Sequence, residues 1–250
     1  MIRGLIACVT ATLLTASALA APVKVEEVAN YAPKGKPTAL VIFLSGDGGW
    51  ENGVIEMARL LAAEGAEVVA VDTPKLLAAL DASAPSGCSD LAGALTAFAA
   101  AERHAYGIAD NAPLVLAGFS SGATIAYLGQ AAMPATAVSG AIGLGFCPDM
   151  ENKRPLCVAG GAADLTVTKG KASTLYGPAL TGLPGFVALQ GMQDQVCNPQ
   201  ATVDFVGKIP GAKVFQLPKV GHGFGVEKNW VPQYLQAYRE IVAAKPETSR

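Results

Sequence analysis

Charge is scarce in this sequence, and so are aromatic rings and histidines. Asp, Glu, Lys and Arg make up 15% of the 250 residues, Phe, Trp and Tyr make up 6%, and there are two histidines. The net charge is −2, with no basic cluster along the chain. Phosphate contacts need clustered Lys and Arg, so nucleic acid is excluded as a partner class. Two histidines, and cysteines without zinc-type spacing, argue against a metal centre. No Gly-Lys-Ser/Thr phosphate loop is present. Neither metal nor cofactor is expected.

What is abundant is apolar, at 51% of the residues. No internal repeat is evident, and the length suits one α/β domain. Such a chain buries roughly 70–75% of its unfolded surface and needs no metal to fold. Part of the apolarity lies at the N-terminus. Met1-Ile-Arg3 is a short positive start, Gly4 to Leu14 is apolar, and Ala18-Leu19-Ala20 is a small-residue cleavage site. This predicts a secretory signal over residues 1–20 and a single domain over 21–250. Cys8 leaves with the signal, and Cys88, Cys147, Cys157 and Cys197 remain. An even count in an exported chain predicts two disulfides. The sequence does not choose among the three pairings; Cys88–Cys147 with Cys157–Cys197 is the leading one.

Along the chain, short apolar runs alternate with helical patterns. Val23 to Val28 reads as an edge strand. Thr38 to Leu44 and Glu67 to Val71 are continuous apolar runs, as expected of strands buried on both faces. Between them Ile55, Ala58, Leu61 and Ala62 mark a helix over 51–64, capped by Gly65. A loop with Pro74 and Pro85 follows. Ser89 or Asp90 caps a helix carrying Leu91, Leu95, Phe98 and Ala99 on one face. Strands are predicted at Leu114 to Ala117, Val138 to Phe146, Gly185 to Gln190 and Lys213 to Leu217, and a last helix at Val231 to Ala244. Between about 147 and 184 the rhythm breaks, which predicts a small inserted cap over the active-site end. The fold class is therefore α/β, a mostly parallel sheet with helices on both faces.

One stretch organises the rest. Leu114 to Ala117 runs into Gly118-Phe119-Ser120-Ser121-Gly122, and a small-residue helical pattern follows. Strand, sharp turn and helix around Gly-x-Ser-x-Gly is the setting of a nucleophile elbow. Asp194 follows the strand ending at Gln190, and His222 follows the last strand, giving the hydrolase order Ser, Asp, His. In that chemistry His222 takes the Ser120 proton and Asp194 fixes the imidazole tautomer. Asp149 and Asp164 are rival acids. The other histidine, His104, falls at a helix end beyond the amino edge of the sheet. Ser45-Gly46-Asp47-Gly48-Gly49 follows the strand that carries the second oxyanion donor in such folds, so the N–H groups of Gly46 or Asp47 are expected to act with that of Ser121.

Phe43-Leu-Ser-Gly-Asp-Gly-Gly-Trp50 and Gly118-Phe-Ser-Ser-Gly-Ala123 resemble the signature blocks of the bacterial virulence protein VirJ/AcvB family, in its short single-domain form. The resemblance implies a periplasmic α/β-hydrolase with Ser120 as nucleophile and His222 as base. Longer AcvB-like members are associated with hydrolysis of lysyl-phosphatidylglycerol, and VirJ-like members with type IV secretion. The expected function is an exported serine hydrolase cleaving a carboxylic ester, with an aminoacylated phospholipid such as lysyl-phosphatidylglycerol as substrate and peripheral contact with membrane lipid. The alternatives are a general periplasmic esterase, lipase or peptidase, and a non-catalytic accessory protein with a secretion-system partner.

Overall fold

A computed structural model describes residues 23–51, 53–83 and 87–244. The signal-peptide expectation for 1–20 lies outside the described residues. No helix among the described residues is long and apolar enough to cross a membrane.

Seven strands form the main sheet: β1 (Glu27–Tyr31), β2 (Ala39–Leu44), β3 (Ala66–Val71), β4 (Leu114–Phe119), β5 (Gly140–Leu144), β9 (Phe186–Gly191) and β10 (Lys213–Leu217). Their spatial order is β1-β3-β2-β4-β5-β9-β10, and all neighbours run parallel except β1, which pairs antiparallel with β3. Among the described residues six α-helices complete the layers: α1 (Gly53–Ala63), α2 (Thr73–Ser83), α3 (Leu91–Ala105), α4 (Ser121–Ala132), α5 (Pro199–Val206) and α6 (Val231–Ala243).

The unbroken apolar runs are explained by burial on two faces. In β2, Leu40, Ile42 and Leu44 join the core under α3 and α4, while Ala39, Val41 and Phe43 join the core under α1 and α6. Alternate side chains point to opposite faces, so a strand between two helix layers must be apolar throughout. Helix α4 is buried from Gly122 to Ala132, which its small side chains permit. This is the expected α/β architecture.

Two helices were not legible as such. Pro74 reads as a loop signal and no element is predicted around Pro199, yet each proline sits in a first helical turn, where its missing N–H costs nothing. Asp72 accepts from the Lys75 N–H at 3.0 Å to start α2, and Asn198 accepts from the Ala201 N–H at 3.0 Å to start α5.

Residues 147–184 carry a small antiparallel sheet of β6 (Asp149–Met150), β7 (Val167–Lys169) and β8 (Thr174–Tyr176), in the order β6-β8-β7. It lies along α4 and not above the elbow. Tyr127 donates to the Gly177 carbonyl at 2.9 Å, Gln130 donates to that of Pro184 at 2.8 Å, and the Ala162 N–H donates to that of Met133 at 2.9 Å. The apolar side of α4 needs covering, and Met150, Leu156, Tyr176 and Leu183 cover it.

The disulfides also differ from the leading expectation: they are Cys88–Cys157 and Cys147–Cys197. Backbone neighbours decide both. The Ser89 N–H donates to Pro155 and the Cys157 N–H to Ser89, each at 2.9 Å, which sets Cys88 beside Cys157. Cys147 and Cys197 follow β5 and β9, adjacent parallel strands whose exits meet.

Candidate active site

The chain order along the sheet reverses between β2 and β4, and in such sheets ligands bind at that switch point, beyond the carboxyl ends of the strands. The Ser45–Gly49 loop leaves β2 there, and Ser120 leaves β4 beside it. Ser120 has φ 55° and ψ −122°, a left-handed conformation that a side chain adopts only under constraint, at a cost of about 1–3 kcal/mol. The constraint is steric. A Cβ on Gly118 would collide with the Gly122 carbonyl, and one on Gly122 would collide with the Leu44 and Ser45 carbonyls. Without side chains there, strand and helix close to a turn that lifts Ser120 above the sheet. Its N–H is held by the Leu144 carbonyl at 2.9 Å.

The three polar side chains singled out from the sequence converge. His222 Nε2 lies 3.0 Å from Ser120 Oγ, and His222 Nδ1 lies 2.8 Å from Asp194 Oδ2. The Asp194 side chain is fully buried, and that of His222 is 18% exposed. A buried carboxylate needs donors, and Asp194 has them. Its Oδ1 accepts from the N–H groups of Val196 at 2.8 Å and Cys197 at 2.9 Å, and Gln190 Nε2 donates to Oδ2 at 3.3 Å. Ser120 Oγ, an imidazole and a carboxylate in this series can move a proton from alcohol to ring while the carboxylate steadies the resulting cation. Asp149 and Asp164 stand in the 147–184 insertion. His104 is exposed in the last turn of α3.

Aromatic rings seat the imidazole. Phe119 lies 5.2 Å from the His222 ring, and Phe224, at φ 50°, packs edge-on against Phe119 and Trp230. In the β2 loop, Ser45 Oγ donates to the Gly46 carbonyl at 3.1 Å and accepts from the Thr73 N–H at 3.0 Å. That pins the Gly46–Asp47 peptide. A Cβ on Gly46 would lie 3.3 Å from the Ser120 Cβ, so this backbone runs directly beside the elbow. Ser121, first in α4, has no carbonyl one helical turn earlier for its N–H, which leaves it a donor for an oxyanion.

A cleft of about 450 Å³ opens over Ser120 and His222. Phe119, Val54, Met57 and Val196 give it an apolar wall, and Gly46 to Gly49 a backbone wall. Its charged lining residues are Asp47 and Glu51, both exposed, with no Lys or Arg among the described residues that line it. None of residues 147–184 lines it either, so the expected cap over this end is not what the structure shows. A larger hollow of about 630 Å³ lies at the opposite end of the sheet. There the Arg103 guanidinium is taken up by the Ala109 and Ala112 carbonyls, each at 2.7 Å. Asp194, Cys197 and His222 place potential ligand atoms within 4.8 Å of one another, but the Cys197 sulfur is committed to its disulfide.

The sequence reading gave no role to the side chains of Gln190 and Ser45. Both carried a signal: a polar residue at the end of an otherwise apolar strand.

Residues 38–140 match the family model described as bacterial virulence protein (VirJ). Among curated proteins none matches. Solved structures similar to the whole chain include Est1E from Butyrivibrio proteoclasticus (14% identity, TM-score 0.55, covering 86% of this chain and 93% of that one). An α/β serine hydrolase without lid from Xanthomonas campestris is 19% identical, with TM-score 0.51 and 87% and 89% coverage. The esterase domain of a Rhodothermus marinus protein is 16% identical, with TM-score 0.53 and 84% and 90% coverage. At these identities the likeness is one of fold. The resemblance carried by the Ser45–Trp50 and Gly118–Ala123 blocks is thereby borne out: the chain is VirJ-like over residues 38–140 and has the α/β-hydrolase fold.

Proposed function

We propose that this protein is an exported serine hydrolase that cleaves carboxylic esters. The observation that carries the reading is the series Ser120 Oγ, His222 and Asp194, joined at 3.0 and 2.8 Å over a cleft. His222 accepts the Ser120 proton as the oxygen attacks the ester carbonyl. The oxyanion is met by the N–H of Ser121 and by those of Gly46 or Asp47; one such donor is worth about 10²–10³ in turnover. His222 then protonates the leaving alcohol. Water attacks the acyl-serine by the same route, and acid and free Ser120 result. Two disulfides suit an oxidising compartment, and with the signal expected over 1–20 they support a periplasmic location.

The substrate we favour is an aminoacyl ester, lysyl-phosphatidylglycerol in particular. The support is electrostatic: Asp47 and Glu51 flank the cleft without a counter-cation in its lining, so an ammonium beside the scissile carbonyl is attracted and an anionic acyl group repelled. Peripheral contact with membrane lipid follows from such a substrate. A general esterase on the same triad is the second reading, favoured by the apolar wall of Phe119, Met57 and Val196.

Two measurements test these readings. A fluorophosphonate should label the wild type and not Ser120→Ala; equal labelling of both would refute the hydrolase. The wild type should release lysine from lysyl-phosphatidylglycerol vesicles. Brisk turnover of short p-nitrophenyl esters without lysine release would leave the second reading.

A further inference from the structure

We infer that the Cys147–Cys197 disulfide positions Asp194, so that the nucleophilicity of Ser120 depends on this bond being oxidised. The inference rests on the hydrolase reading above. Asp194 Oδ1 is held by the N–H groups of Val196 and Cys197, at 2.8 and 2.9 Å. Both donors belong to the tight turn that ends at Cys197, itself 2% exposed. The orientation of the carboxylate is therefore the orientation of that turn. Across the disulfide, Cys147 is anchored from two sides. Thr124 of α4 donates to the Cys147 carbonyl, and Thr202 of α5 donates to the Phe146 carbonyl at 2.8 Å. Helix α4 is the one whose N-cap is Ser120. A covalent bridge thus connects the turn that holds the acid to the helix that holds the nucleophile.

The second disulfide supplies the contrast. Cys88–Cys157 joins the start of α3 to the insertion along α4, and neither cysteine lines the cleft or contacts Ser120, Asp194 or His222. Both bonds close long loops, of 69 and 50 residues, so both stabilise the fold by restricting the unfolded chain. Only one touches the site. Misplacing a catalytic group by about 1 Å costs up to about 10²-fold in rate. A turn that is loosened but still hydrogen-bonded is expected to cost less, about tenfold.

The test compares Cys147→Ala/Cys197→Ala with Cys88→Ala/Cys157→Ala. Fluorophosphonate labelling is followed to completion, and kcat and KM are measured on a p-nitrophenyl ester. The first variant should label to the wild-type extent but about tenfold more slowly, and kcat should fall with KM unchanged. The second should keep the wild-type rate within about twofold. A lower final extent at an unchanged rate would mean only that fewer molecules fold, and would overturn the inference; so would equal slowing in both variants. Wild-type protein provides a route that does not depend on the variants folding. Dithiothreitol converts the disulfide to two thiols and is itself oxidised to its cyclic disulfide. Labelling should slow when mass mapping shows Cys147 and Cys197 reduced, and recover on reoxidation; an unchanged rate at that point would also overturn it. If the oxidised wild type does not label at Ser120 at all, the hydrolase reading falls, and this inference with it.

Discussion

The imidazole of His222 stands 3.0 Å from the hydroxyl of Ser120, although β5 and β9 lie between the strands that deliver them. The loop after β10 reaches back across two strand ends to make this contact. Gly145, at the end of β5, leaves room for it: a Cβ there would lie 3.2 Å from the His222 ring. Phe119 lies 5.2 Å from the ring, and Phe224 backs Phe119 edge-on.

Ser120 is strained, and that strain is measurable. Glycine is at ease at φ 55°, whereas alanine inherits the strain of serine. Ser120→Gly should therefore melt above Ser120→Ala by roughly 2–6 °C, reversing the usual order of these two residues. Both variants should lose labelling and turnover. Calorimetry that ranks alanine above glycine would contradict the strained elbow.

Gln190 should separate activity from stability. It is fully buried, its Nε2 supports Asp194 Oδ2, and its Oε1 finds no partner among the described residues. An unpaired buried oxygen is a cost that apolar replacement removes. In Gln190→Met, kcat should fall about three- to tenfold while Tm holds or rises. A fall in both together would mean that the amide serves the fold alone.

Asp47 and Glu51 should govern charge preference. On a lysyl ester, Asp47→Asn and Glu51→Gln should each raise KM about two- to fivefold, as exposed charge pairs are worth up to about 1 kcal/mol. On a neutral ester both should match the wild type. Added salt should reproduce part of the effect in the parent protein. KM values that move equally on both substrates would place the effect elsewhere than in charge.

A titrating region lies away from the site. Burial first, then hydrogen bonding and repulsion from Glu27, raise the Glu102 carboxyl from its ordinary 4.5 to about 7. The Tyr106 hydroxyl donates to both Glu27 oxygens, at 2.9 and 2.8 Å. A carboxyl whose pKa is raised by folding stabilises the folded state fully below 4.5, and that contribution is lost as pH rises through about 7. Melting temperature should decline between pH 5 and 8, and Glu102→Gln should flatten the decline. An equally steep profile in the variant would reject this assignment.

How much of this was legible beforehand follows from which interactions are local. Double-sided strands show as unbroken apolar runs, and Lys213–Leu217 has the same bounds in sequence and structure. The glycines at 118 and 122 announce the elbow because close approach leaves no alternative to glycine. The proline at 74 misled because a first helical turn and a loop both tolerate the residue. The partners of Cys88 and Cys147 depend on which strand exits and loops become neighbours, and no local pattern encodes that. The insertion was placed over the elbow for want of a period, whereas the apolar flank of α4 draws it alongside. Asp90, and not Ser89, caps α3: its carboxylate accepts the Gly93 N–H at 2.8 Å.

The two disulfides interlock, because the loop from Cys147 to Cys197 opens before the one from Cys88 to Cys157 has closed. A single peptide-bond cleavage anywhere between residues 88 and 197 consequently frees no fragment. Whatever protease scars the surface there, the severed ends remain tethered through sulfur, and the nicked molecule still migrates as one chain until a reductant parts it.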